Sequence, residues 1–528
     1  MERRKFLKNI IPATAVFPSL INGMTFKTFG AAGLFEALAG ATDNDHVLVL
    51  IQLNGGNDGL NTVVPLVNYG DYFNQRSNIA IPTASILPLD KYDKAGLHPS
   101  LSGMQQMYNE EKLSILYSVG YPQPNQSHFR STDIWLTGAD SDQYLSTGWA
   151  GRFLNNTYSN FPVGYPNDSM PDPLAIQIGS VLSPVFMGPG GFTAMAVPTN
   201  TDFYNLINGI SDPVPSSPMG TELTYLRTVA RQTNKYADAI VAAAGKVTSQ
   251  YSGYPADNPL AEELKTVARL VAGGLKTKIY MVGMGSFDTH GGQVQAGNTI
   301  TGTHSNLLQQ LSQAIAAFSE DLKFLGINKR VIGMTFSEFG RRIKSNGSAG
   351  TDHGAAQPVF IFGDSVQTGV LGTPPDLPAS LNDQDSLPMQ YDFRSVYSSI
   401  LRDWFCVDPT DISTILYKNY QYLPFIQSSA CQMNINELNN LGQNLISNYP
   451  NPFDSSTTIS FKVQTGHALV QIFDTAGRLI TVAVDQQYDS PGTYTVNFDA
   501  GQLSGGVYYA RFQNGSLQQV RTMLKIRQ

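Results

Sequence analysis

Four short segments hold most of the residues able to do chemistry. The first runs Asn54-Gly55-Gly56-Asn57-Asp58-Gly59-Leu60-Asn61, and the second Ser127-His128-Phe129-Arg130-Ser131-Thr132-Asp133. The third is Asp288-Thr289-His290-Gly291-Gly292. The fourth is Ser337-Glu338-Phe339-Gly340-Arg341, followed shortly by Asp352-His353-Gly354. Carboxylates combined with imidazoles suit a divalent cation, because Asp and Glu bring charge and neutral His completes the coordination shell. The chain has only 7 histidines, and His128, His290 and His353 all fall in these segments. Asp58, Asp288, His290, Glu338, Asp352 and His353 are therefore the candidate metal ligands. Each segment alone also has an ordinary reading. Asp288-x-His290 is a common turn signature, and Asp58 between Gly and Asn residues suits a helix cap or tight turn. Glu338 closes an apolar run, where an unpaired carboxylate is costly, so a partner or a metal is expected beside it. His98 reads as structural, and His46, His304 and His467 as surface or capping residues.

The elements that must position these residues are near-continuous apolar runs. They cover His46 to Leu53, Leu113 to Val119, Lys278 to Gly283, Arg330 to Phe336 and Pro358 to Gly363. Such runs mark strands buried on both faces of a parallel sheet. Helical patterns separate them; the clearest places Leu307, Leu308, Leu311, Ile315, Phe318 and Leu322 on one face before Gly326. Strands alternating with helices predict an α/β fold with a mainly parallel sheet. In such folds chemistry gathers beyond the carboxyl ends of the strands, and each candidate segment follows an apolar run. The Pro-, Gly- and Asn-rich stretch over 155–220 reads as long loops able to cover a site.

The rest of the chain speaks of export. A length of 528 residues predicts more than one domain. A formal net charge of -7 offers no electrostatic case for nucleic acid or for an anionic membrane. No long apolar run follows the N-terminal region, so no transmembrane span is expected in the mature chain. Cys406 and Cys431 are the only cysteines, enough for one disulfide outside the cytoplasm but not for a zinc ribbon. At the N-terminus, Arg3-Arg4-Lys5-Phe6-Leu7-Lys8 precedes a modestly apolar stretch and then Ala37-Leu38-Ala39. This pattern resembles a removable twin-arginine signal, which is expected over 1–40 and implies folding before export.

From about residue 448 short alternating strands replace the pattern of apolar runs and helices. Asn448-Tyr449-Pro450-Asn451-Pro452-Phe453 opens the segment, Thr458 to Val463 and Ala468 to Phe473 are strands, and Asp474 to Arg478 is a turn. Gly492 to Phe498, Gly505 to Phe512 and Arg521 to Ile526 complete a small β-sandwich expected over 448–528, after a linker over 431–447. The order of these motifs resembles the C-terminal sorting domain of type IX (Por) secretion substrates. That resemblance implies engagement of the secretion machinery, passage across the outer membrane of a Bacteroidetes-type bacterium, and release or surface attachment. The localisation expected is export through the periplasm to the outside or to the cell surface.

The domain between, expected over 41–430, resembles the bacterial domain family 1501 of unknown function. The shared marks are Leu53 to Asn61, Leu97-His98-Pro99-Ser100-Leu101, Ser127 to Trp135, Gly148 to Arg152, Phe287 to Gly291, Ser337 to Arg341 and Thr351 to Gly354. That family looks related to the alkaline phosphatase and sulfatase superfamily. The relationship implies a three-layer α/β core and a hydrolase of phosphate or sulfate esters. By position, it implies that Asp58 or a neighbouring Asn binds metal, that Ser127 is a hydroxyl nucleophile opening a helix, and that His353 is the last metal histidine. This sequence departs from the superfamily pattern at the short Asp288-x-His290 spacing and at Glu338-Phe339. One ion is easier to build than two from these residues; zinc, calcium, magnesium and manganese are the candidates. His128 and Arg341 are then available to stabilise the developing anion. The expected function is an exported, metal-dependent hydrolase of phosphate or sulfate esters, with a glycan or other extracellular polymer as carrier. The alternative is a non-catalytic secreted or surface-attached binding protein that keeps the fold.

Overall fold

A computed structural model describes residues 45–197, 235–377, 381–427, 446–463, 465–474, 478–514 and 517–526, together with two short strands, Ser19–Ile21 and Met24–Phe26. The expected leader, apart from those strands, and nearly all of the expected linker lie outside the described residues. The chain divides into two compact units, Asp45–Ala430 and a second holding Cys431–Gln528.

The larger unit is built on one sheet. Its strands are β1 (Val47–Leu53), β2 (Leu113–Gly120), β3 (Ala175–Ile178), β4 (Ala194–Val197), β5 (Ile279–Met284), β6 (Val331–Phe336), β7 (Gln357–Phe362), β8 (Gly369–Leu371) and β9 (Tyr391–Asp392). They lie in the order β4-β3-β5-β1-β6-β7-β2-β8, with β9 also paired to β2. All neighbours run parallel except around β7, which is antiparallel to both β6 and β2. The five apolar runs are thus strands β1, β2, β5, β6 and β7.

Alternation explains how one sheet builds two cores. Every residue of β1 is buried, and successive side chains point to opposite faces. Val47, Val49, Ile51 and Leu53 join one core; Leu48 and Leu50 join the other. On the first face lie α1 (Ser102–Asn109), α4 (Pro259–Ala272) and α5 (Thr303–Phe324). On the second lie α2 (His128–Thr137), α3 (Trp149–Thr157), α6 (Phe393–Asp403) and α7 (Pro409–Ile415). The result is the three-layer α/β core expected. The apolar stripe of α5, from Leu307 to Leu322, faces the first core as its spacing predicts. Of the loop-rich stretch over 155–220, residues 198–220 lie outside the described residues, and its described part contributes β3 and the edge strand β4.

Two expectations about histidines fail. His46 is 4% exposed, stacks on Trp404 at 3.9 Å and hydrogen-bonds the Trp404 carbonyl through Nδ1 at 2.7 Å. His304 is 1% exposed and meets Asn57 Oδ1 at 3.0 Å. Both sit in the core because a tertiary partner satisfies their ring nitrogens, which sequence periodicity cannot foresee. Cys406 is disulfide-bonded, and Cys431 lies outside the described residues.

The second unit is an antiparallel sandwich. Strands β10 (Ile446–Tyr449), β11 (Ser456–Val463) and β14 (Gly492–Asp499) form one sheet in the order β10-β11-β14. Strands β12 (Gly466–Asp474), β13 (Leu479–Tyr488), β15 (Gly506–Asn514) and β16 (Leu517–Lys525) form the other in the order β13-β12-β15-β16. Inward residues such as Ile459, Phe461, Val470, Ile472 and Phe512 make a single core. Strand β13 is absent from the strands expected by pattern. Half of its residues are exposed and none is fully buried, so apolar alternation is weak there and backbone pairing to β12 defines it.

Candidate metal centre

The candidate residues come together where the sheet topology sends them. β1, β5 and β6 run parallel, so the loops after them leave from one edge. β7 runs the other way, so the residues before it return to that same edge: Gln357 pairs with Val119 near the end of β2. Asp288-His290, Glu338 and Asp352-His353 therefore share one rim with His128, which opens α2. Gly55 makes the close packing possible. Its φ is +121°, and a Cβ there would lie 2.3 Å from the Asp288 backbone nitrogen.

Asp288 is the focus. Its Oδ1 lies 3.1 Å from His353 Nε2 and 3.1 Å from His290 Nε2, while Oδ2 lies 3.5 Å from His128 Nε2. Each of these imidazoles has its other nitrogen committed. His128 Nδ1 meets Glu338 Oε1 at 2.7 Å, His290 Nδ1 meets Asp352 Oδ1 at 2.9 Å, and His353 Nδ1 meets the Gln126 carbonyl at 2.8 Å. Those partners accept only, so in neutral rings the proton sits on Nδ1 and the Nε2 lone pair faces Asp288. His290 Nε2 and His353 Nε2 are 2.9 Å apart. Two lone pairs and a carboxylate at such distances repel unless a cation or protons lie among them. Ligand atoms of His128, Asp288 and His353 all fall within 4.8 Å of one another. The donors thus fit a divalent ion, with carboxylates or a carbonyl orienting each ring from behind.

The electrostatics agree. Partial burial works against ionisation of Asp288, but the Arg341 hydrogen bond and charge, helped by His353 and His290, hold it at about 2. Burial similarly opposes, and the His290 and Asn346 bonds overcome, so Asp352 also lies below the ordinary carboxylate range. Burial pushes the His353 imidazole below its usual value, outweighing the Gln126 and Asp288 bonds that raise it. An aromatic floor completes the site: buried Phe339 lies 4.6 Å from the His353 ring and 4.9 Å from that of His128.

Several sequence expectations change role here. Asp58 does not join the cluster. It is 1% exposed, both carboxylate oxygens bind the Arg76 guanidinium at 2.9 and 2.8 Å, and Gln293 Nε2 donates to Oδ2 at 2.6 Å. Its charge is thus neutralised by Arg76 in this structure. Arg341 is not available to an anion either. It is 2% exposed and donates to the carbonyls of Gly55, Gly56, Phe287 and Thr351 and to Asp288 Oδ1. Every face of the fork is used to stitch the loops together. Glu338 is 3% exposed, receives the Gly55 N–H at 2.9 and 3.2 Å and holds His128; Asp352 holds His290 and receives Asn346 Nδ2 at 3.1 Å. Both orient histidines more directly than they offer free oxygens. His128 presents Nε2 as a fourth donor beside Asp288, His290 and His353. Ser127 is exposed and precedes α2 with no side-chain capping bond. Gln126, Asn346 and Phe339 escape sequence reasoning; a backbone carbonyl and a packing ring leave no signal in residue type.

A mainly parallel sheet between two helical layers, with side chains converging on one edge, defines the class. Solved structures similar to this chain include a protein in the alkaline phosphatase superfamily from Vibrio parahaemolyticus, at 10% identity and TM-score 0.32, covering 94% of this chain and 92% of that one. A PsFucS1 sulfatase from Pseudoalteromonas sp. is similar at 11% identity and TM-score 0.33, covering 89% and 87%. Alkaline phosphatase from the Antarctic bacterium TAB5 is similar at 10% identity and TM-score 0.25, covering 61% and 92%. No curated protein matches the chain. Residues 216–398 match the family described as a protein of unknown function, DUF1501, and residues 447–526 match the secretion system C-terminal sorting domain. The resemblances to domain family 1501 and to the sorting domain are thereby borne out, and the chain carries a C-terminal sorting tail of secreted or surface-attached proteins. Among the described residues, no helix is long and apolar enough to cross a membrane.

Proposed function

We propose that this chain is a secreted or surface-attached, metal-dependent hydrolase of phosphate or sulfate esters on an extracellular substrate. The observation that carries the proposal is the convergence of three imidazole Nε2 atoms on Asp288, each ring oriented through Nδ1 by an acceptor. His128, His290, His353 and Asp288 would hold the ion; this nitrogen-rich set favours zinc or another transition ion over calcium or magnesium. Bound there, a divalent ion supplies Lewis-acid polarisation and charge neutralisation for an anionic ester. Glu338 and Asp352 fix the ring orientations, and Phe339 excludes water from beneath two of them. Ser127, exposed at the N-terminus of α2, would be the attacking hydroxyl, beside helix N–H groups that favour an anion. Arg3-Arg4 supports a twin-arginine route to the periplasm for the folded domain, and the tail then carries it outward.

The test is metal analysis of the purified chain together with hydrolysis of aryl phosphates and aryl sulfates. Bound metal near one equivalent, with both metal and activity lost in Asp288→Ala and His353→Ala, is the expected result. If neither variant changes metal content or hydrolysis, the proposal fails. Activity that survives Ser127→Ala would assign the attack to water. The complete engagement of buried Arg341 favours one rival, a protein that binds an anionic ligand without turning it over. Stoichiometric metal without hydrolysis of either ester class would select that rival.

A further inference from the structure

Beneath the cluster lies a buried polar hub. Gln293 is 0% exposed and sits between the two loops that carry Asp288, His290, Asp352 and His353. Its Oε1 accepts from Thr289 Oγ1 at 3.0 Å and from Thr351 Oγ1 at 2.9 Å. Thr289 lies between Asp288 and His290, and Thr351 immediately precedes Asp352. Both hydroxyls are buried, and the Thr351 N–H also donates to the Thr289 carbonyl at 3.1 Å. On the other side, Gln293 Nε2 donates to Asp58 Oδ2 at 2.6 Å, and Asp58 is held by Arg76. Arg76 in turn donates to the carbonyls of Ile343 and Arg342, at 2.9 and 2.7 Å. The amide orientation follows from the chemistry: a carboxylate requires N–H toward it, and two hydroxyl donors require an oxygen.

We infer that Gln293 is a positioning residue that clamps the two ligand-bearing loops at metal-binding distance, anchored by the buried Asp58–Arg76 pair. The inference rests on the proposed metal site. It explains why an amide stands at this position: only a group with a donor at one end and an acceptor at the other can join Asp58 to both threonines. A glutamate of the same shape would set two carboxylates against each other. Exchanging the two residues, with Asn at 58 and Glu at 293, would keep one amide, one carboxylate and the same net charge in the network.

The experiment is zinc competition against a chromophoric chelator with the full chain. It covers wild type, Gln293→Glu, Thr351→Val, Thr289→Val and the Asp58→Asn/Gln293→Glu pair. Loss of an orienting partner of this kind weakens metal affinity ~10–100-fold. That loss is expected in Gln293→Glu, with a smaller one in each threonine variant and substantial recovery in the exchanged pair. Ring ¹⁵N spectra of the metal-free protein give a second readout. In Gln293→Glu the His290 and His353 signals should shift while His46 stays fixed; a general loosening of the fold would move all three. Should Gln293→Glu fail to fold, the near-isosteric threonine variants carry the test alone. Wild-type zinc binding that Gln293→Glu and both threonine variants leave unchanged would overturn the clamp. A wild-type chain that takes up no zinc or other divalent ion would instead overturn the metal reading on which the clamp depends.

Discussion

His353 Nε2 lies 3.1 Å from Asp288 Oδ1 while His353 Nδ1 is fixed by the Gln126 carbonyl at 2.8 Å. One ring is thus held from behind by the loop before α2 and faces a carboxylate from the loop after β5. Segments far apart in sequence meet at this contact, and the consequences are measurable.

Asp288 and Asp58 should separate cleanly. Asp288 is half exposed but also pairs with buried Arg341, so Asp288→Ala should destabilise the metal-free chain less than Asp58→Asn does while abolishing metal uptake. Asp58→Asn leaves the buried Arg76 without its counter-ion and should cost about 3–5 kcal/mol. It should nevertheless retain a metal site at saturating ion. Urea unfolding alongside metal analysis checks both; a stable Asp58→Asn chain that binds no metal would restore Asp58 as a ligand.

Arg341 should prove structural before it proves chemical. Arg341→Met removes donors to four loop carbonyls and leaves those groups buried, so a loss of about 3–5 kcal/mol is expected. Arg341→Lys should recover only part, because a point charge cannot reproduce the planar fork. Denaturant midpoints decide the matter. If Arg341→Lys unfolds like wild type but slows hydrolysis, the guanidinium is reaching substrate after all.

Gly55→Ala tests the packing of the rim. The left-handed backbone and the 2.3 Å approach of a Cβ to Asp288 N predict a loss of ~1–3 kcal/mol. The Asp288 loop should also be pushed outward, lowering metal affinity. Thermal melts with and without zinc read both effects, and wild-type behaviour in each would show that the loop gives way easily.

Acid should weaken the fold through buried His98, which is not among the cluster's own imidazoles. Burial, with the neighbouring His304 charge, lowers His98 to about 3. Because its folded value lies below its unfolded value, its contribution is complete above pH 6.5 and is lost as pH falls from there toward 3. Near pH 5 this amounts to about 2 kcal/mol relative to pH 7. Unfolding of the metal-free chain at both pH values should show the loss, and His98→Asn, which can keep the bond from Ser100 N–H, should flatten the slope. A slope unchanged in that variant would move the effect to other groups.

Much of this fold is legible in residue order alone. Near-continuous apolar runs mark β1, β2, β5, β6 and β7, because a strand buried on both faces leaves no polar alternation. The α5 stripe, the tail strands other than β13, and the segments bearing His128, Asp288, His290, Glu338 and His353 likewise follow from type and spacing. Roles are harder to read. Asp58, in a Gly- and Asn-rich segment, has the look of a ligand; a fully buried arginine from elsewhere in the chain neutralises it. Arg341 has the look of a free cation, yet backbone carbonyls from three loops consume its donors. Glu338 and Asp352 resemble ligands by type, and each instead grips the Nδ1 of a histidine.

Sequence by itself determined the five central strands, the alternating layers, the sorting tail and the places where carboxylates and imidazoles would be offered. These follow from local periodicity and residue type. Only the tertiary structure decided which ring nitrogen faces Asp288, which charges are already paired and what fixes the loops. Such partners are set by chain segments that meet only when the sheet is assembled, with β7 reversed so that His353 returns to the shared edge.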